Sequence, residues 1–283
     1  MDCAKGIAVV AGTGRPIEEF EGVDRIDRPG PPLLCVPTTA GSSADVSQFA
    51  ILSSPGRRLK FAIISKSIVP DVSLLDPDLL CTLPPRLTGS TGLDALTHAV
   101  EAYVSTGASP ITDLFALSAI RRLATFLPLA VQHPGNAVYR NETMLASLEA
   151  GLAFSNASLG AVHALAHSLG GYLDIPHGIC NAILLEQVVH CNFPYAADRY
   201  RAVSAAFGLE VWQQSSEVVC AALVDRISSF RRILGVDQTL ADCGLTPEDI
   251  PVLTKNALLD PCMATNPRVP DEEMVRRCYE RAL

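Results

Sequence analysis

The sequence predicts a small α/β portion followed by a larger all-helical one. Three observations carry that expectation. Short apolar runs bounded by Pro, Gly and Ser, the pattern of strands, occur before residue 85. Apolar residues at helical spacing dominate after it. No internal repeat or low-complexity tract breaks either part.

Taken in order, CAKGIAVVAG (3–12) reads as a helix ending near Gly12. LLCVPTT (33–39) is a short β-branched run stopped by Pro37, hence a strand. QFAILS (48–53) and KFAIIS (60–65) are two more strands, with SPGRR (54–58) between them as a hairpin signal. SIVPDVSLLDP (67–77) is extended and punctuated by Pro70 and Pro77. The boundary falls at LPPR (83–86), which sets an α/β portion over 1–85 and a helical portion over 86–283. TGLDALTHAVEAYV (91–104) places Leu93, Leu96, Val100 and Tyr103 on one helical stripe. In the next helix, 109–131, Ser109 is the N-cap and Pro110 the first helical residue. Residues 140–170 and 195–235 carry the same periodicity.

Bulk properties narrow the function. Hydrophobic residues make up 48 % of the 283, and aromatics only 6 %, so the core is mainly aliphatic. A net charge of −8 with no basic patch argues against a nucleic-acid partner; GRRLK (56–60) is short and reads as a turn. The nine cysteines are odd in number, scattered and without a CxxC, as in a reducing cytoplasm. No apolar run of membrane-spanning length and no signal peptide is expected. The NAS triplet at 156–158 lies in a helical, apolar context and is not read as a glycosylation acceptor.

VHALAHSLGGYLDIPHG (162–178) holds three of the six histidines. His163 and His167, four apart, share a helix face. Gly170 and Gly171 are expected to interrupt that helix, so that His177 arrives from another direction. Three imidazoles so placed are either metal ligands or unrelated core and capping residues. Asp94 and His98 are also four apart, and alone they read as a surface ion pair. Together the two stretches offer one carboxylate and three imidazoles, a set suited to Fe²⁺ or Zn²⁺.

GLDALTHAVEAYVS, HALAHSLGGYLDIPHGICNAILL, VPTTAGSSADVS (36–47) and NPRVP (266–270) together resemble the iron-containing (group III) alcohol dehydrogenases. The similarity runs from residue 1 to 283. It implies a dehydroquinate synthase-like fold, with an α/β dinucleotide-binding domain followed by an all-α domain. It implies Asp94, His98, His163 and His177 as ligands of Fe²⁺, with Zn²⁺ the alternative, and His167 as the catalytic proton-handling group. It also implies Thr38, Thr39, Ser47, Lys60 and Leu79 around NAD, with an exposed surface lysine as the alternative reading of Lys60. The expected reaction is hydride transfer between a small primary alcohol or aldehyde and NAD(H). The expected partners are that small molecule and further copies of the chain, with no nucleic acid or membrane.

Two departures bear on activity. In the family a glycine-rich phosphate loop precedes the helix that here begins at Met1; AGTGRP (11–16) follows a helix and does not replace it. The chain is therefore expected to bind NAD weakly or not at all, with a misplaced gene start as the preferred cause and a genuinely short protein as the alternative. The run SSADVS, with MDCAKG and DPCMATNPR, also resembles a branch that includes alcohol-dehydrogenase-like regulatory proteins. Two other readings stand beside the dehydrogenase: an impaired or regulatory metalloprotein of the same fold, and a metal hydrolase. The hydrolase is disfavoured because Glu101, the one nearby carboxylate, reads as a solvated or N–H-bonded helix residue.

Overall fold

Helix α1 (Asp2–Thr13) opens the chain in the computed structural model, which describes residues 1–54 and 59–283. It packs on a small mixed sheet. In that sheet β3 (Phe49–Ser54) pairs antiparallel with β4 (Leu59–Ile64), from Phe49 opposite Ile64 to Ser54 opposite Leu59. On the other side of β4 lies β1 (Gly22–Val23), in parallel. A separate parallel pair joins β2 (Leu34–Cys35) to β5 (Val72–Ser73). Val9, Phe20, Ala50, Phe61, Ile63 and Ile68 form the core of this portion.

The two strongest strand expectations, QFAILS and KFAIIS, form as paired strands. LLCVPTT contributes only two strand residues, because Pro37 has no N–H to extend a ladder. SIVPDVSLLDP is less extended than expected. Its ends enter 3₁₀ turns at Lys66–Ile68 and Pro77–Leu80, the first opened by the Ser65 hydroxyl and the second by the Asp76 carboxylate. The SPGRR turn and most of GRRLK lie outside the described residues.

Every described residue in a strand precedes residue 85. The rest is helical: α2 (Pro85–Val104), α3 (Pro110–Gln132), α4 (Ala137–Ala157), α5 (Ala161–Leu173), α6 (His177–Asn192), α7 (Ala197–Ala206), α8 (Ser216–Ile233), α9 (Ile250–Leu258) and α10 (Glu272–Ala282). Helix α2 is the axis. It is buried almost all round, packs against α3, α4 and α6, and keeps its neighbours close with Ala95, Ala99 and Ala102. Helix α3 begins as its sequence dictates, with a reciprocal Ser109–Thr112 capping box and Pro110 in its first turn.

Contrary to the sequence expectation, α3 has the length and composition of a membrane span, with a mean hydropathy of 1.6. Its apolar face is spent on packing: Ala116, Ala119, Ile120, Leu123 and Leu127 are buried against α2 and α4. Arg122 on its other side pairs with Glu142 and Glu149 of α4.

The strand-bearing and helical portions are bonded together. Ser43 Oγ donates to the Ser147 carbonyl at 2.6 Å, and Gln48 Nε2 donates to the Ser155 carbonyl at 2.5 Å. Arg140 of α4 is fully buried and donates to Thr88 Oγ1, Pro134 O and Leu83 O, which fixes the chain where α2 begins.

Candidate metal centre

Helix α2 supplies Asp94 and His98, α5 supplies His163, and the first residue of α6 is His177. Asp94 Oδ1 lies 3.9 Å from His98 Nε2, 3.8 Å from His163 Nε2 and 3.6 Å from His177 Nε2. Two donors each at a zinc- or iron-type bond length from one ion are separated by about 3.4 Å at a tetrahedral angle. Asp94 Oδ1 therefore faces each imidazole nitrogen across a gap of ionic size, and Asp94, His98 and His163 each offer a ligand atom within 4.8 Å of the other two. Asp94, His98 and His163 are buried, and His177, 42 % exposed at its side chain, forms the open edge.

The electrostatics suit a cation. Burial lowers the pKa of His98 and takes that of His163 well below its ordinary value, so both rings are held neutral with lone pairs to give. Asn181, one turn after His177 on α6, points its amide nitrogen into the same space. Nδ2 sits 2.6 Å from Asp94 Oδ1, 3.2 Å from His163 Nε2 and 3.1 Å from His177 Nε2. Two amide hydrogens cannot satisfy three acceptors. A divalent ion can, and the donor set fits Fe²⁺ or Zn²⁺.

A second layer orients these ligands. Glu101 Oε2 lies 2.5 Å from His163 Nδ1, and Oε1 accepts from Val162 N at 2.6 Å. Nδ1 then carries the proton, and Nε2 faces Asp94 with a lone pair. Burial pushes Glu101 up to about 8, against the N–H groups of Val162, Gly160 and His163 that hold it down. Its carboxyl sits at the α5 N-terminus, where the helix dipole offsets part of that shift. Gly160 caps that helix without a side chain, and a Cβ there would lie 3.0 Å from Glu101 Oε1 and 3.1 Å from Asn266 Oδ1. Asn266, in the NPRVP run, accepts from Ala161 N and so completes the cap.

His167, one turn past His163, stacks on His177 with ring centroids 5.3 Å apart. Its Nδ1 lies 2.8 Å from Asp260 Oδ2, so Nε2 is the atom available for proton transfer. Burial opposes the Asp260 charge, but the His167 bond and the Cys262 N–H hold its carboxyl below the usual range.

Several expectations need correction. Asp94 and His98 are not a surface ion pair: each is only 4 % exposed, because α2 runs through the middle of the bundle. Glu101 is likewise buried, not solvated; the N–H-bonded part of that reading is correct. Gly170 and Gly171 do not interrupt α5, which continues to Leu173 and ends at Asp174 in the left-handed conformation. The residues implied around NAD differ in exposure. Thr38 and Leu79 are exposed, Thr39 is half-buried, and Ser47 is buried where Lys5 Nζ donates to its carbonyl at 2.7 Å. The backbone of Lys60 pairs with Ser53 on β3, and its side chain lies outside the described residues.

Sequence reasoning missed Asn181 and Asp260. Helical spacing could have found Asn181, four residues after His177. Asp260 comes from a distant 3₁₀ turn and left no local signal.

A helical bundle with a buried carboxylate–imidazole centre, packed on an α/β portion, defines the scaffold of a metal-binding protein. Residues 88–283 match the family model described as Fe-containing alcohol dehydrogenase family, C-terminal, and residues 1–77 match that for iron-containing alcohol dehydrogenase. The chain belongs to the iron-containing alcohol dehydrogenase family. It is 42 % identical over 282 residues to alcohol dehydrogenase 4 of Schizosaccharomyces pombe, covering 100 % of this chain and 66 % of that protein. It is 34 % identical over 282 residues to the NAD-dependent methanol dehydrogenase of Bacillus methanolicus, covering 100 % of this chain and 74 % of the relative. A crystal structure of 1,3-propanediol oxidoreductase aligns with a TM-score of 0.97 at 37 % identity, over 100 % of this chain and 74 % of its own. The chain thus spans 66–74 % of the length of these proteins.

Proposed function

We propose that this chain is the metal-binding and catalytic part of an NAD-linked alcohol dehydrogenase that interconverts small primary alcohols and aldehydes. The observation that carries the reading is one carboxylate oxygen facing three imidazole nitrogens at 3.6–3.9 Å. Asp94, His98, His163 and His177 would hold Fe²⁺, with Zn²⁺ the alternative. When bound, the ion supplies Lewis acidity toward an alcohol or carbonyl oxygen, and NAD supplies the hydride acceptor.

The chain's own residues do the rest. Glu101 fixes the His163 tautomer, and the buried walls of α2 and α5 exclude water from three ligands. His177 and His167 form the exposed edge, where a small substrate can enter. His167 Nε2 takes the proton released on alcohol oxidation and returns it on aldehyde reduction, while Asp260 holds the ring. Assignment of Thr38, Thr39, Ser47, Lys60 and Leu79 to the dinucleotide rests on the VPTTAGSSADVS motif. The division at residue 85 is part of the same reading, supported by the start of α2 at Pro85. A cytoplasmic location agrees with nine free thiols among the described residues.

The test is metal analysis of the purified protein followed by NADH oxidation with short aldehydes. Bound iron or zinc is expected, with aldehyde-dependent turnover weak in this chain and full in a form that also carries the family's glycine-rich phosphate loop. A stoichiometric metal with no NADH binding by either form would instead favour a regulatory metalloprotein, and no metal at all would sink the proposal.

A further inference from the structure

At the far end of α6 from His177, Cys191 lies against α10. Its Sγ is 3.6 Å from Cys278 Sγ, which donates to it. The two thiols differ in kind. Cys278 is fully buried, whereas Cys191 is half-exposed. The hydrogen bond from Cys278 lowers Cys191 to about 7 against the effect of burial, with Arg268, Arg281 and Arg277 assisting. Cys278 is held well above its ordinary value by the same bond and by burial. Arg277 and Arg281 are exposed and Arg268 is half-buried, so the approach to Cys191 is cationic. A disulfide needs the sulfurs at about 2.0 Å. The two cysteines stand on helices α6 and α10, which pack directly against each other.

We propose that Cys191 and Cys278 are a reversible thiol–disulfide modification site whose co-reactant is an anionic low-molecular-weight disulfide. Cys191 sulfur attacks one sulfur of the small disulfide, whose other half leaves as a thiolate. Cys278 then attacks Cys191 sulfur, its proton passing to the second half as that half leaves as a thiol. The protein dithiol is oxidised by two electrons, and the small disulfide is reduced to two thiols. The partly buried, activated sulfur attacks first and the fully buried one resolves, and the arginines favour an anionic partner. The bond would tie the helix that begins with His177 to α10, whose Tyr279 hydroxyl donates to the Leu165 carbonyl between His163 and His167.

The test is incubation of the metal-loaded protein with oxidised glutathione, then alkylation and peptide mapping. Expected is a Cys191–Cys278 linked peptide with loss of two hydrogens, reversed by dithiothreitol. Cys278→Ala should stop at a glutathione adduct on Cys191, and Cys191→Ser should form neither product at this pair. The cationic disulfide cystamine should react about tenfold more slowly. Cys191 left alkylatable while exposed Cys3 is modified would overturn the site, as would a bond to its other thiol neighbour, Cys220. Faster reaction with cystamine would overturn the anionic partner. The wild-type peptide map decides the matter even where a variant fails to fold.

Discussion

The function of Glu101 comes from the hydrogen bonds around it rather than from contact with an ion. An oxygen facing His163 Nδ1 makes that nitrogen the donor and leaves Nε2 with a lone pair. In Glu101→Gln the amide has one oxygen for two N–H donors. If that oxygen keeps Val162 N, an amide N–H faces Nδ1 and the ring proton moves to Nε2, into the metal space. Metal affinity measured by chelator competition is expected to fall about 10–100-fold, and an unchanged affinity would remove Glu101 from the centre. Asp260→Asn poses the same problem at His167, because Asp260 also accepts from Cys262 N at 2.8 Å. There the expected result is full metal content with kcat lower by about 10²-fold; loss of metal instead would mean that Asp260 supports the ligands. These residues also show what was legible. Among the four candidate ligands only Asp94 and His98 form an i,i+4 pair, His163 pairs at that spacing with His167, and His177 follows a proline; the spacing marks the residues, and the family resemblance names them as ligands. Their burial does not show in sequence, since an Asp–His pair at that spacing looks the same on a surface as in a core. Asp260 is 93 residues from His167, and only the fold brings the two together.

At the scale of elements, the centre depends on how closely α6 approaches α2. A Cβ on Gly178 would lie 2.5 Å from the Ser90 carbonyl oxygen and 3.5 Å from Asp94 Cβ. The obstacle is helix backbone, which cannot rotate aside. Gly178→Ala must push the start of α6 outward, taking His177 from Asp94. A stability loss of about 1–3 kcal/mol is expected in chelator-treated protein by urea unfolding, with weaker metal binding besides. A variant that binds metal normally would show that the helix pair can relax without opening the site. Arg140 holds the start of α2. Arg140→Met would leave the Leu83 and Pro134 carbonyls without their donor in a dry interior, at a cost of about 2–4 kcal/mol in the same assay. The helices themselves were legible because capping and apolar spacing act locally. The short strands were less so, since two-residue ladders such as β2–β5 exist only through a partner distant in sequence.

At the scale of the molecule, the strand-bearing portion is tied down by a buried lysine whose charge has a thermodynamic consequence. Lys5 Nζ donates to the carbonyls of Ser47 at 2.7 Å and Phe49 at 2.8 Å, binding α1 to the segment that leads into β3. Burial lowers its pKa from 10.5 to about 8, and Asp2, Cys35 and Asp45 oppose the shift only in part. An unfolded chain therefore holds a proton on this lysine between about pH 8 and 10.5 that the folded chain has released. Stability rises with pH wherever the unfolded state binds more protons. The cost of burying the charge is thus fully present below about pH 8 and is relieved as pH climbs toward 10.5. The relief is at most about 3 kcal/mol, taking 1.36 kcal/mol for each pH unit of the shift. Tyrosines and thiols titrate in the same range, so the informative quantity is a difference from Lys5→Met, which keeps the aliphatic stem and removes the charge. Urea unfolding from pH 7 to 10.5 should show wild-type stability gaining on the variant as pH rises. A constant gap would mean that the ammonium, held by its carbonyl partners, keeps its ordinary affinity for the proton. In that case the segment carrying Ser47 is fixed by a charged anchor throughout the physiological range.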